Sequence, residues 1–321
     1  MKVSEQTPSV HIPPVYKAHS PLALGGTAFG EQSDQAWLAV MESALQAGIN
    51  HFDTASGYDQ GRSETLIGQF LAAQSTRRDQ IFLASKASAD EMTALVMLEQ
   101  VDKSLARLQT EMIDLYYIHW PRQGKDLRPA MEGLEKARQQ GKIQALGVSN
   151  FSVEQMEQVA EVGKIDAHQL GYSLFWRFPE REIIPYCRTN GIAVVTYSSI
   201  AQGILTGKFP RHPHFPADDK RPATLLFEES IWPYVYEGVE ELKALARAVQ
   251  RPLPQLAIRW VLHQKEITTA VVGARTVAQV EENAQALEGE LPGHIFEQMT
   301  AISDAVLQHV PDTGNVYRYN P

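Results

Sequence analysis

The sequence predicts an α/β fold, a closed (β/α)8 TIM barrel with an N-terminal extension and a C-terminal helix and tail. Between about residue 22 and residue 287, short apolar runs alternate with longer segments whose apolar residues recur at helical spacing. The short runs are almost continuously apolar, as is typical of parallel strands that are covered on both faces. These two observations indicate repeated strand–helix units around a parallel sheet.

Eight such runs occur, which favours a closed barrel over an open sheet. They read LALGGTAFG, INHFDTA, IFLASKA, IDLYYIHW, IQALGVSN, AHQLGYS, IAVVTYSSI and TTAVVGA. An open doubly wound sheet usually carries a GxGxxG fingerprint in its first turn, and LGGTAFG lacks that spacing. Closed barrels of about this length commonly form one unit. We therefore expect a single domain over residues 1–321, with the barrel core at about 22–287.

One helix is predicted in TALVMLEQVDKSLARLQ. Its apolar residues recur at threes and fours and predict a buried stripe formed by Leu95, Leu98, Val101, Leu105 and Leu108.

Turn and capping residues mark where other helices begin and end. Ser152 and Gln155 have the spacing of a capping box at a helix start. Gly48 and Gly191 each follow a helical stretch, where a left-handed residue is expected. The Pro-rich segment 201–232 after the seventh strand is too long for an ordinary connection, which is typical of a functional loop.

Composition narrows the classes of partner. The net charge of −9 argues against nucleic acid and anionic membrane surfaces as partners. Cys187 is the only cysteine, so no intrachain disulfide forms and a cytoplasmic location is expected. The N-terminus has no secretory signal pattern, and the apolar runs are too short to span a bilayer. The polar tail after Pro311 is expected to be loosely ordered.

Polar side chains stand at the ends of three consecutive predicted strands. Asp53 and Tyr58 follow the second strand, Lys86 ends the third and His119 ends the fourth. Each alone has an ordinary explanation, as a turn former, a solvated lysine or a core histidine. In a closed barrel, however, the C-terminal ends of the strands meet at one mouth, where active sites lie. The four residues together predict a catalytic site; a purely structural Asp53–Lys86 ion pair beside a buried tyrosine is the alternative.

Six motifs resemble the successive signatures of the aldo-keto reductase family. In chain order they are FDTASGY, ASKA, YYIHW, GKIQALGVSNF, YSSIAQGILTGK and VVGARTVAQVEEN. The resemblance implies a (β/α)8 barrel and NAD(P)H-dependent reduction of aldehydes and ketones. Two positions depart from it near the substrate mouth. Ala28 and Phe29 stand where the family often has Trp, and Asp59 stands where Gly usually follows the tyrosine.

The resemblance implies a catalytic role for each of the four polar residues. Tyr58 is the proton donor to the carbonyl oxygen, and His119 orients the substrate by a hydrogen bond. Because a free tyrosine holds its proton up to about pH 10, we expect the charge of Lys86 to lower the pKa of Tyr58. Asp53 would pair with Lys86 and keep it charged.

The resemblance also implies a set of cofactor contacts. Tyr197 would stack on the nicotinamide ring, and Ser149, Asn150 and Gln169 would hold its carboxamide, which needs both donors and acceptors. Contacts to the pyrophosphate and the adenosine end are expected from Ser199, Gly203, Leu205, Lys208, Gly273, Arg275, Gln279 and Asn283.

The cofactor is predicted to be NADPH, with NADH possible. Arg275 precedes a helix N-terminus and has the fork geometry to grip a 2′-phosphate. Gln279 has a second interpretation, because Thr276 and Gln279 also have the spacing of a capping box.

Substrate contacts are the least specific part of the pattern. Phe29, Trp120 and Trp176 are candidate substrate walls, and simple packing explains each equally well. The loop RHPHF holds two histidines without an evident third ligand, so no metal is predicted.

The expected partner is a small carbonyl substrate, and a monomer is the default with a homo-oligomer possible. The alternatives are an NADPH-binding regulatory or redox-sensing subunit with little turnover, or a different barrel enzyme such as a hydrolase.

Overall fold

The protein is a closed barrel, as predicted. Its structure is a computed structural model that describes residues 8–28, 32–74, 77–88 and 93–319. Eight strands lie in the described residues, all neighbouring pairs are parallel, and their order around the barrel is the chain order. The strands are β1 (Leu22–Gly25), β2 (His51–Asp53), β3 (Phe82–Ala87), β4 (Ile113–Ile118), β5 (Ile143–Ser149), β6 (Ala167–Gly171), β7 (Ala193–Tyr197) and β8 (Ile267–Gly273).

Helices follow the strands and form the outer ring. They are α1 (Asp34–Gln46), α2 (Arg62–Ala72), α3 (Arg77–Gln80), α4 (Ala94–Leu108), α5 (Arg128–Gln139), α6 (Val153–Ala160), α7 (Ile183–Thr189), α8 (Trp232–Ala248), α9 (Leu253–His263), α10 (Val277–Ala284) and α11 (Gly293–Leu307). The last of them is the predicted C-terminal helix. Across the described ranges, none of these helices has the length and apolar character needed to cross a membrane.

The core has two layers, which explains why the strands read as continuously apolar. One cluster fills the barrel interior and includes Phe82, Leu115, Tyr117 and Val195. A larger cluster lies between the strands and the surrounding helices. Every residue of β1 to β4 is buried, and β1, β3 and β4 each contribute side chains to both layers.

The local capping signals are confirmed where the structure tests them. Ser152 caps α6 and forms the full capping box with Gln155. Gly48 and Gly191 adopt left-handed φ angles of 79° and 64° after α1 and α7.

One expectation is only partly right. Of the stripe predicted for α4, Val101 and Leu108 are buried and Leu98 and Leu105 pack against the core, but Leu95 is 67% exposed. Packing against α2 and α5 selects this face. The tail after Pro311 has one buried residue, Val316, and its loose order stays a prediction. That residues 1–321 form one domain stays a prediction.

The lower end of the barrel is closed by the N-terminal extension. Val10 and His19 form an isolated antiparallel bridge, and the segment between them turns back under the strands. Ile12 and Val15 are buried and join the interior cluster. The extension therefore acts as an apolar floor beneath the barrel.

A buried histidine pair lies within this floor. The rings of His19 and His51 are 4.7 Å apart and nearly perpendicular, and His51 also packs on Phe82. Among the described residues, neither ring nitrogen of His51 has a hydrogen-bond partner. Burial, aided by the neighbouring His19 and by the charge of Lys86, lowers the pKa of His51 well below its usual range. The folded protein therefore holds His51 neutral.

We predict that His51→Leu makes the protein less sensitive to acid. Because the folded pKa is lowered, below about pH 6.5 the unfolded chain binds a proton that the folded chain does not, and stability falls as pH falls. Between about pH 7 and about pH 5, this one histidine is expected to cost roughly 2 kcal/mol. Urea unfolding at both pH values measures the difference.

The matched control is His294→Leu, which replaces an exposed histidine on α11. It should keep the acid sensitivity of the wild type. An equal loss of stability on acidification in His51→Leu and the wild type would show that His51 does not remain neutral in the fold.

Candidate active site

A buried ion pair lies at the upper mouth of the barrel. Asp53 is the last residue of β2, and Lys86 is the next-to-last residue of β3. Lys86 Nζ donates to Asp53 Oδ1 at 2.6 Å and to the carbonyl oxygen of Thr54 at 2.8 Å. The side chain of Lys86 is fully buried and that of Asp53 is 3% exposed. Burial lowers the pKa of Lys86, while the Asp53 carboxylate acts against that shift.

The second carboxylate oxygen of Asp53 has a partner from the far side of the barrel. Gln169 on β6 donates from Nε2 to Asp53 Oδ2 at 2.8 Å, and Gln169 is itself buried. Both oxygens of Asp53 are therefore hydrogen-bonded, one to Lys86 and one to Gln169. The sequence predicted Gln169 only as a contact for a cofactor amide.

Tyr58 and His119 lie against this ion pair. Tyr58 stands in a short 3-10 turn after β2, and Lys86 Nζ is 5.3 Å from the centre of its ring. His119 follows β4, and its ring meets the Tyr58 ring edge-on with centres 5.6 Å apart. The structure thus brings together the four residues that the sequence predicted for catalysis.

The two rings are both held neutral. Burial, reinforced by the Asp53 carboxylate and by Tyr317, raises the pKa of Tyr58 well above its usual value. The net lowering of this pKa that was expected from Lys86 does not occur in the protein alone, because burial and the Asp53 carboxylate outweigh the charge of the lysine. Burial, with the charge of Lys86, lowers the pKa of His119 to about 3.

A second group of polar residues adjoins His119. Tyr197 Oη donates to Asn150 Oδ1 at 2.6 Å. Asn150 Nδ2 donates to Ser149 Oγ at 3.0 Å and to the His119 carbonyl oxygen at 3.1 Å. The predicted carboxamide contacts on β5 and the predicted stacking ring on β7 therefore form one connected patch beside the catalytic group.

The loop after β7 has an unusual backbone. Ser198, Ala201 and Gln202 adopt positive φ angles of 59°, 47° and 52°, and Gly203 follows at 89°. Positive φ in non-glycine residues costs free energy and is common at ligand sites. Ser199 Oγ and Gln202 Oε1 are buried and have no hydrogen-bond partner in the described part of the chain.

Positive charges collect next to this loop. Lys208 is partly buried, and its Nζ is 5.1 Å from the centre of the Phe209 ring. Partial burial and the charges of Arg221 and Arg275 lower the pKa of Lys208. Arg221 is paired with Asp219, so Lys208 and Arg275 are the cations here that favour an anionic ligand. Leu205, another predicted loop contact, is fully buried and packs beneath the loop.

The start of α10 is the second predicted anion site. Thr276 caps the helix by accepting from the Gln279 backbone N–H at 3.2 Å. Gln279 Oε1 accepts from the backbone N–H of Arg275 at 2.7 Å, so only half of the predicted capping box forms. Gly273 and Arg275 are exposed, and Asn283 is partly buried on the helix behind them.

The candidate substrate walls differ in their surroundings. Trp120 is partly buried beside His119, with ring centres 6.3 Å apart. Trp176 is 3% exposed and packs edge-on against Phe178, so in this conformation it is a packing residue. Phe29 lies outside the described residues.

Sequence reasoning missed two tyrosines of the tail. Tyr317 packs against Tyr197, and Tyr319 packs against Trp120. Two tyrosines in an otherwise polar tail were the available signal, but nothing in their spacing indicated that the tail returns to the mouth. Among the described residues, no group of three or more histidine, cysteine or acidic side chains is arranged to hold a metal ion.

Comparisons with known proteins agree with this geometry. Residues 21–304 match the sequence profile of the Aldo/keto reductase family. The chain is 34% identical over 268 residues to aldo-keto reductase YhdN of Bacillus subtilis (strain 168), covering 81% of each protein. It is 30% identical over 304 residues to the NADH-specific methylglyoxal reductase of Escherichia coli (strain K12), covering 88% of this chain and 92% of that protein.

A solved structure is also similar. The glycerol dehydrogenase AKR11B4 from Gluconobacter oxydans superposes with a TM-score of 0.85 at 31% identity, covering 95% of this chain and 96% of that one. The predicted resemblance to this family and the predicted barrel are thus confirmed.

We predict that Gln169→Met destabilises the protein. The substitution keeps the volume of the side chain but removes the donor to Asp53 Oδ2, leaving a buried carboxylate oxygen without its partner. The free energy of unfolding is expected to fall by about 1–3 kcal/mol. Gln69→Met, on the exposed face of α2, is the matched control and should be neutral. Equal unfolding midpoints in urea for both variants would contradict the prediction.

Proposed function

The chain belongs to the aldo/keto reductase family and is an NAD(P)H-dependent oxidoreductase, and we propose that it reduces aldehydes or ketones to alcohols with Tyr58 as proton donor. The observation that carries the proposal is the buried Lys86–Asp53 pair lying against the Tyr58 ring, with His119 beside it. When bound, the reduced nicotinamide supplies a hydride to the carbonyl carbon.

The proton comes from Tyr58. An acid must carry its proton before the reaction, and the raised pKa of Tyr58 keeps its hydroxyl protonated at neutral pH. Charge develops on the carbonyl oxygen as the hydride arrives, and the more basic oxygen then takes the phenol proton. The bond from the Tyr58 oxygen to hydrogen breaks as the alcohol O–H bond forms, and solvent later returns a proton to Tyr58.

Lys86 stabilises the phenolate that this transfer leaves. Its ammonium group lies 5.3 Å from the centre of the Tyr58 ring, close enough for charge to act strongly in a buried site. Asp53 keeps that lysine protonated despite its burial, and Gln169 holds Asp53 from the other side. By stabilising the phenolate, Lys86 opposes the rise in the Tyr58 pKa, although burial dominates that pKa in the protein alone.

His119 orients the carbonyl group. With its pKa lowered to about 3, the imidazole is neutral at physiological pH and carries one N–H. That N–H is the donor we assign to the substrate oxygen, which completes an oxyanion site together with the Tyr58 hydroxyl. Trp120, next to His119, is our candidate for a substrate wall.

The residues around the mouth fit a nicotinamide dinucleotide. Of the two buried, unpartnered atoms, the Ser199 hydroxyl is proposed to donate to a phosphate and Gln202 Oε1 to accept from a ribose hydroxyl. Ser149 and Asn150 supply donors and acceptors for the carboxamide, and Tyr197 supplies a ring to stack on. Gln169 is proposed to contact the carboxamide while it keeps its hydrogen bond to Asp53.

The adenosine end is proposed to lie along α10. The positive charge of Lys208 is proposed to lie near the phosphates. Gly203, with its positive φ, lets the backbone of the loop after β7 approach them closely. Arg275 is proposed to grip a 2′-phosphate, which favours NADPH over NADH. Gln279 and Asn283 are the proposed adenosine contacts; because Gln279 Oε1 already accepts from Arg275, its free group is the amide N–H2.

The substrate is proposed to be a small carbonyl compound. The Escherichia coli relative is named for methylglyoxal and the Gluconobacter oxydans structure for glycerol, so short polar carbonyls and their alcohols are the first compounds to assay. The regulatory-subunit alternative is not favoured, since an intact acid, ion pair and histidine are what turnover requires. A monomeric state stays a prediction.

We predict that Tyr58→Phe abolishes turnover and leaves cofactor binding intact. Removal of the general acid is expected to lower kcat roughly a hundred- to ten-thousand-fold. The assay follows NADPH absorbance with methylglyoxal, short aliphatic aldehydes and aromatic aldehydes, and fluorescence titration measures NADPH binding.

Tyr117→Phe is the matched control for this substitution. Its hydroxyl is buried, lacks a hydrogen-bond partner among the described residues, and belongs to a ring 5.8 Å from Lys86 Nζ. It should retain turnover. Wild-type activity in Tyr58→Phe would overturn the assignment of the acid.

We predict that Arg275→Ala changes the nucleotide preference. Loss of a charge-assisted contact to the 2′-phosphate should weaken NADPH binding about tenfold or more and leave NADH binding nearly unchanged. Lys265→Ala removes an exposed cation at the opposite end of β8 and should alter neither affinity. If Arg275→Ala leaves the ratio of the two dissociation constants as in the wild type, the NADPH assignment fails.

A further inference from the structure

The C-terminal strap, residues 312–319, lies across the mouth of the barrel. Val316 is 2% exposed, and its carbonyl oxygen accepts from the Leu225 backbone N–H at 3.1 Å. Arg318 forms an ion pair with Glu228, just before α8. These contacts attach the strap to the long segment that follows β7.

One asparagine shapes the strap so that two tyrosines project from it. Asn315 Oδ1 accepts from the backbone N–H groups of Tyr317 and Tyr319, each at 3.1 Å. Asn315 Nδ2 donates to the Tyr319 carbonyl oxygen at 2.7 Å. The side chain of Asn315 thus holds the backbone of this turn, from which both tyrosine rings project.

Tyr317 lies on the residues that we assign to the nicotinamide end of the cofactor. Its ring is stacked on Tyr197, with planes 19° apart and centres 6.2 Å apart. Its hydroxyl is 3.0 Å from Ser198 Oγ and accepts from Gln202 Nε2 at 3.1 Å.

Tyr319 extends the strap to the other side of the mouth. Its ring meets Trp120 edge-on, with planes 88° apart and centres 4.8 Å apart. The strap therefore spans from β7 to the end of β4, above Tyr58 and His119. Val316 anchors the strap in the core, whereas Tyr317 and Tyr319 remain 36% and 47% exposed, so the part of the strap over the mouth is held by surface contacts.

We propose that Tyr317 competes with the nicotinamide end of the cofactor for the Tyr197 ring, and that the C-terminal strap must be displaced for the cofactor to bind. The inference rests on the proposed function, since it assumes that Tyr197 stacks on the nicotinamide. The closed strap is then a self-inhibitory state that sets the apparent cofactor affinity. If the open state makes up about a tenth of the free protein, the apparent dissociation constant is raised about tenfold.

The test compares Tyr317→Ala with the wild type for two probes. NADPH carries the nicotinamide end, whereas adenosine 2′,5′-bisphosphate carries only the end that we assign to Arg275 and α10. Tyr317→Ala is expected to tighten NADPH binding about three- to tenfold and to leave bisphosphate binding unchanged. Tyr16→Ala, at a tyrosine that is 94% exposed in the N-terminal extension, is the matched control and should change neither.

A second variant tests the strap without touching the ring. Arg318→Ala removes the ion pair with Glu228 and should also tighten NADPH binding, by a smaller factor. In the wild type, hydrogen exchange of the Leu225 amide, which donates to Val316, should become faster when NADPH is added.

The outcomes separate this inference from the proposed function. Unchanged NADPH binding in Tyr317→Ala would overturn the proposed competition, because the strap would then have no effect on the cofactor. Weaker NADPH binding in this variant, or slower exchange of the Leu225 amide when NADPH is added, would also overturn it, because the strap would then hold the bound cofactor in place. Failure of both NADPH and NADH to bind any variant, the wild type included, would overturn the proposed function itself.

Discussion

The buried ion pair between Lys86 and Asp53 is the interaction on which the mouth of the barrel depends. A fully buried ammonium group persists only where a carboxylate and further hydrogen bonds replace its lost hydration. Asp53 and the Thr54 carbonyl oxygen supply these at 2.6 and 2.8 Å, and Gln169 on β6 in turn donates to the second oxygen of Asp53 at 2.8 Å. Because the pair requires three strands in one arrangement, errors in strand pairing would leave a charge uncompensated. The site and the fold therefore constrain each other.

The same pair contributes to the charge state of its neighbours. Burial, with the Asp53 carboxylate, raises the pKa of Tyr58, and burial, with the charge of Lys86, lowers the pKa of His119, so both rings are neutral. A neutral phenol and a neutral imidazole are both hydrogen-bond donors, which suits a site that must meet a developing negative charge. The lysine stabilises the phenolate that appears only after the proton has left Tyr58.

The two ends of the barrel are built differently. The lower end is filled by Ile12 and Val15 of the N-terminal extension and by the buried His19–His51 pair. The upper end carries a loop with consecutive positive φ angles and a strap whose tyrosines remain over a third exposed. Closed barrels carry their active sites at this upper end, where a ligand can replace exposed contacts.

The sequence by itself determined the eight strands, the capping box at Ser152 and the gathering of four catalytic candidates, because each follows from local periodicity, turn chemistry or position at a strand end. Only the tertiary structure decided the partner of Gln169, which lies 116 residues from Asp53, and the position of Tyr317 on the Tyr197 ring. It also decided the direction of the Tyr58 pKa shift, where desolvation exceeds the attraction of a lysine that is already paired. Local patterns carry no information about such long-range distances, and these distances fix both burial and the balance of charges.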